Sequence, residues 1–166
     1  MQPEFIRIRQ KFDDTKIENI EQSVKEQIRA IHPQIRPGAS IAITAGSRGI
    51  ANIAKIIRAT AEELRAMGAK PFIIPAMGSH GGATAEGQKQ VLASYDITEE
   101  AMGVPIRSSM EVVELPRGDL PNRVFMDRLA YESDGVVIVN RVKPHTDFHG
   151  PTESGILKMC VIGLGK

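Results

Sequence analysis

Between Lys143 and Lys158 the chain gathers His145, Asp147, His149, Glu153 and Lys158 into one short loop. Imidazoles exchange protons near neutral pH, and a lysine amine can serve as nucleophile or base. His145 and His149 stand four apart, a helical metal-ligand spacing, but Pro144, Gly150 and Pro151 oppose a helix there. Two histidines do not make a metal site. Lys158 lies among Ile156, Leu157, Met159 and Val161. An apolar setting would favour its neutral, reactive form, whereas a lysine that snorkels to water would stay an ordinary cation.

Two earlier loops carry the other unusual residues. Gly46-Ser47-Arg48-Gly49 contains amides suited to an anion and an arginine suited to a bidentate phosphate contact. It is neither the dinucleotide fingerprint nor a P-loop, and its plain alternative is a turn with a solvated arginine. Gly78-Ser79-His80-Gly81-Gly82 presents a single histidine among glycines, free to meet a substrate as a proton shuttle. His32, just before Pro33, reads as structural, Cys160 as buried and inert, and the carboxylates of residues 96–100 as a solvated helix start.

These loops need elements to hold them. Residues 4–10 alternate weakly and suggest a first strand. Residues 17–32 have Ile17, Ile20, Val24, Ile28 and Ile31 at helical spacing. A strand is expected at 40–45, a helix at 50–67 stopped by Gly68, a strand at 70–77 and a helix at 84–94. Thr98 should cap a short helix. Short strands are expected at 111–115 and 123–126, a helical turn at 127–131, a last strand at 136–140, and a final helix opening at 154–159. Strand–helix alternation requires crossovers. It therefore predicts a single doubly wound α/β domain over 1–166: a mostly parallel, Rossmann-like sheet with helices on both faces. Ligands of such sheets bind at the carboxyl ends of the strands, where all three loops fall.

Taken together and in this order, the loops resemble the N-terminal domain of the nickel-dependent lactate racemase (LarA-like) family over roughly residues 10–166. Ser47-Arg48 resembles a Thr-Arg pair that contacts phosphate, and Gly78-Ser79-His80 a Gly-Thr-His segment with a catalytic histidine. His145 after Lys143-Pro144 is similar to the second catalytic histidine. Ser154-Gly155-Ile156-Leu157-Lys158 is similar to the segment whose lysine carries the cofactor. The resemblance implies a hydroxyacid racemase or epimerase that moves a hydride at the carbinol carbon, using nickel and a nickel-pincer nucleotide. It implies His80 and His145 as the acid–base pair, Lys158 as the attachment point, and Gly46, Ser47, Arg48 and Gly49 as cofactor contacts. Ala45 stands where the family has an acidic residue. The stretch from His145 to Lys158 is longer than the family pattern and adds His149, which suggests a substrate contact. The nickel-ligating histidine and a closing C-terminal domain would both lie beyond Lys166, so the chain reads as the N-terminal domain of a longer protein. Such a fragment is expected to be inactive alone, and its uncovered surface suggests a homo-oligomer.

Composition excludes several other classes. There are 21 basic and 20 acidic residues, a net charge of +1, and no charge block suited to nucleic acid or a membrane surface. Aromatics are 4 % and tryptophan is absent, which argues against base-stacking surfaces. No apolar run reaches the ~20 residues of a membrane span. The N-terminus has no signal-like core and Cys160 is the single cysteine, so a cytoplasmic location is expected. Two rival readings stay open: a nucleotide- or sugar-phosphate-using transferase with Lys158 as a charge clamp, and a ligand-binding module of the same fold without catalysis.

Overall fold

Ile41, Ile43 and Ala45 face one apolar cluster while Ala42 faces another, so one short strand supplies two cores. That alternation follows from the two-residue period of a strand, and it means that both faces of the sheet are covered. The computed structural model describes residues 6–31, 34–47, 49–144, 147 and 149–165.

In chain order the elements are α1 (Ile20–Ala30), β1 (Ser40–Ala45), α2 (Ile53–Ala66), β2 (Lys70–Pro75), α3 (Ala85–Ala93), α4 (Glu99–Met102), β3 (Val112–Glu114), β4 (Phe125–Asp127), α5 (Arg128–Tyr131), β5 (Gly135–Val137) and α6 (Ile156–Lys158). A 3-10 turn at Gly81–Ala83 precedes α3, and a π-type turn at Met159–Leu164 continues α6. β1 pairs in parallel with β2 on one side and β5 on the other, giving the order β2-β1-β5. A parallel bridge from Ile73 to Ile106 extends the β2 edge. β3 and β4 form a separate antiparallel ribbon. The fold is α/β with a parallel central sheet, as the alternation of elements predicts.

One face of the sheet packs Ile43, Ile73, Ile57, Leu64, Leu92 and Met102, drawing on α2, α3 and α4. The other packs Ala42, Phe72, Ile74, Ala130 and Leu164, drawing on α5 and the C-terminal turn. Helix α1 buries no residue fully and lies on α2 through ion pairs. Arg29 makes a bidentate contact with Glu63 (both 2.7 Å), Lys25 reaches Glu62 at 2.6 Å, and Arg58 binds Glu21.

The structure corrects several local expectations. Residues 6–10 form no strand, and Ile6 and Ile8 are each 84 % exposed. Alternation alone does not make a strand, which needs a neighbouring edge to pair with. Helix α2 starts at Ile53 rather than 50 because Asn52 takes a left-handed conformation (φ 58°). β5 ends at Val137, short of 140. Beyond that point the Val139 N–H leaves the ladder and donates to the Thr44 hydroxyl at 3.0 Å. Cys160 is exposed rather than buried, because Gly163 and Leu164 take the inward positions of its turn. Among the acidic residues near 96–100, Glu99 is structural: its Oε1 accepts from the Ile106 N–H at 2.7 Å. Thr98 caps α4 as expected, accepting from the Ala101 N–H. His32 lies outside the described residues.

Candidate active site

The loops after β1, β2 and β5 leave the same edge of the parallel sheet. β1 connects through α2 to β2 on one side, and the chain returns later to place β5 on the other. The crevice above β1 is therefore a topological switch point, the usual binding position of such sheets. A cleft of about 150 Å3 lies there. Gly46, Ser47 and Gly49 line it from the first loop. Ala76, Met77 and His80 line it from the second, and Val139 to Arg141, Lys143, Ser154, Gly155 and Lys158 from the third.

The first loop is tied to the third. Arg141 Nη1 donates to the Gly49 carbonyl at 2.8 Å, and a Cβ on Gly49 would sit 3.9 Å from Lys143 Nζ. Arg48 lies outside the described residues, while its neighbours Ser47 and Gly49 face the cleft.

The second loop turns back on its own helix. Gln88, fully buried on α3, donates from Nε2 to the Gly78 carbonyl at 2.8 Å. Gly81 (φ +66°) packs directly on the backbone of Gly87. Thr84 caps α3 by accepting from the Gly87 N–H at 3.0 Å. Held in this way, His80 is exposed to the cleft. Its Nδ1 lies 2.6 Å from the Met77 carbonyl. A carbonyl only accepts, so in the neutral ring Nδ1 carries the proton and donates it there. Nε2 is then left with its lone pair, the form a general base requires.

The third loop is closed by its own polar groups. The Lys143 N–H donates to Ser154 Oγ at 2.9 Å, and the Gly150 N–H donates to Glu153 Oε1 at 3.1 Å. Lys158 is half-buried and lines the cleft. The apolar wrapping suggested by its sequence neighbours does not form, since Ile156, Leu157 and Val161 are all more than 60 % exposed. His145 lies outside the described residues. The His149 side chain is 86 % exposed, with Nδ1 3.4 Å from Glu153 Oε1, and it does not line the cleft.

Asn140 and Arg141 belong to no motif, and Lys143 marks only the start of the third loop in the sequence, yet the three contribute three lining residues in four positions. The lining simply follows the chain past the end of β5: Val139, Asn140, Arg141 and Lys143 line the cleft, while Val142 is 80 % exposed. Arg141, Lys143 and Lys158 are all cationic, and among the described residues no carboxylate lines the cleft.

The model of the lactate racemase N-terminal domain matches residues 6–163. The chain belongs to this family. No curated protein and no solved structure matches the chain significantly. For a member of the lactate racemase N-terminal domain family, a nickel-pincer nucleotide is the implied cofactor of the full enzyme. The described donor set fits its organic part: cations with no carboxylate among the described lining residues suit a phosphate, and a half-buried lysine at the cleft wall suits covalent attachment. Among the described residues no group of three or more His, Cys, Asp or Glu side chains could hold a metal ion. No described helix is long and apolar enough to cross a membrane.

Proposed function

We propose that this chain is the cofactor- and proton-handling domain of a hydroxyacid racemase or epimerase. The observation that carries the reading is that His80 and Lys158, from loops 78 positions apart in sequence, line one cleft together with Gly46, Ser47 and Gly49. When bound, the nickel-pincer nucleotide supplies an acceptor for hydride from the substrate carbon and can return it to either face. Lys158 Nζ is the attachment point. The backbone amides of the first loop, with Arg48, hold phosphate at the sheet edge. His80 Nε2 takes the hydroxyl proton as the carbinol carbon is oxidised and gives it back on return; His145 does the same for the opposite configuration. His149, outside the cleft lining, takes the lesser role of tuning substrate preference from the rim.

The exposed Ile156, Leu157, Val161 and Ile162 beside the cleft support a covering partner, either a second domain or another copy. A phosphate-ligand transferase or a non-catalytic binder would share the cations but would not need a covalent lysine. The test is intact-protein mass analysis of the chain after exposure to the pincer nucleotide, combined with a chirality assay on a panel of 2-hydroxy acids. Added mass that maps to Lys158 and disappears in Lys158→Ala supports the reading. An unmodified wild-type chain overturns it.

A further inference from the structure

Asn140 lines the cleft, yet its amide Nδ2 is buried with no hydrogen-bond partner. A buried donor left without a partner carries its full desolvation penalty, so its presence in a binding cleft calls for an acceptor. The positions that follow it are chemically consistent with that. Arg141 and Lys143 line the same cleft, and neither has a carboxylate partner among the described residues. Arg141 uses Nη1 on the Gly49 carbonyl, which fixes the guanidinium and leaves its other donors available. The Lys143 backbone is pinned by Ser154, which orients the start of its side chain. One buried neutral donor in a cleft with two cations that have no carboxylate partner, and no lining carboxylate, among the described residues is an arrangement for an oxyanion.

We propose that Asn140, Arg141 and Lys143 form an oxyanion seat at the end of β5, separate from the amides of the Gly46–Gly49 loop. Its occupant is a phosphate or carboxylate group. The proposal deepens the racemase reading, because that chemistry brings two anions to one cleft: the nucleotide phosphate and the hydroxyacid carboxylate. Placing each on its own loop would keep them from competing for the same donors.

The experiment titrates the cofactor-free chain with inorganic phosphate and, separately, with lactate, following backbone amide resonances at constant ionic strength. Asn140→Asp keeps the shape of the side chain, replaces the orphaned donor with a carboxylate and should abolish binding. Lys143→Met should weaken it roughly tenfold. Lys89→Met, on the exposed surface of α3, controls for general charge and should leave it unchanged. Shifts at residues 139–143 with phosphate assign the seat to the nucleotide, and shifts there with lactate alone assign it to the substrate. Equal affinity in wild type, Asn140→Asp and Lys143→Met, or shifts absent from residues 139–143 with both anions, overturns the seat. Unfolded variants are recognised from their spectra; Asn140→Ser, which retains a short polar group, then replaces Asn140→Asp and should weaken binding, and unchanged affinity there overturns the seat. This readout does not involve Lys158 modification, so failure of the seat and failure of the racemase reading are told apart.

Discussion

Gly81 and Gly87 touch backbone to backbone: a Cβ built on Gly87 would lie 1.9 Å from the Gly81 carbonyl oxygen. This contact folds the His80 turn onto the first turn of α3. Gly87→Ala must push the turn away, and overpacking of this kind costs about 1–3 kcal/mol. In a chain of this size that lowers Tm by roughly 2–4 °C for each kcal/mol. Gly46→Ala, where a Cβ meets nothing within 4 Å, should leave Tm unchanged. Thermal unfolding of the pair checks the contrast, and equal Tm values would refute the close packing.

Thr44 is fully buried and its hydroxyl accepts the Val139 N–H. Thr44→Val preserves the shape and removes the acceptor. The stranded amide should cost about 1–3 kcal/mol, and Thr44→Ser should recover most of it. Denaturant unfolding measures the cost. Hydrogen exchange at the Val139 amide, faster in the valine variant alone, localises it.

The bidentate contact from Arg29 holds the Glu63 carboxyl below its ordinary value of 4.5, against the opposing effect of burial. A depressed carboxylate contributes stability that is present above that ordinary value and lost as pH falls through the folded one. Glu63→Gln should therefore lower Tm at pH 7, and the gap from wild type should shrink as pH drops below 4.5. A gap that stays constant from pH 7 to pH 3 would show that the ion pair does not couple to folding.

The short contact between His80 and Met77 sets a tautomer. Nitrogen-15 spectra of the neutral ring should show Nδ1 protonated and Nε2 bare. The opposite tautomer would take the lone pair away from Nε2 and remove His80 as the base proposed here. In the cofactor-loaded protein, His80→Ala should reduce racemisation by about 10²-fold or more while leaving the covalent mass on Lys158 intact.

The strands and long helices were legible because their signals are local. β1 and β2 are apolar runs bounded by glycine or proline, and α2 carries its stripe at helical spacing. Residues 6–10 misled because alternation describes a strand that could pair, and pairing depends on distant chain. Loop glycines and His80 pointed to the cleft, but Arg141 and Asn140 did not stand out. Their importance comes from the Gly49 carbonyl and from a burial that only the folded sheet creates. The setting of Lys158 was not legible for a related reason: neighbours in sequence around a short helix and a π-type turn point in different directions, and most of these face solvent.

The order β2-β1-β5 also works as a ruler. Adjacent strands lie about 4.8 Å apart, so the loops leaving β2 and β5 start about 10 Å from each other with the β1 loop between them. That pitch is fixed by backbone hydrogen bonds and is indifferent to what the loops contain. Residues in the three loops can therefore be exchanged, by selection or by design, to change what the cleft grips while the spacing of the grips stays the same. A cleft of different chemistry is reachable from this scaffold through loop changes alone, with the sheet and its two cores untouched.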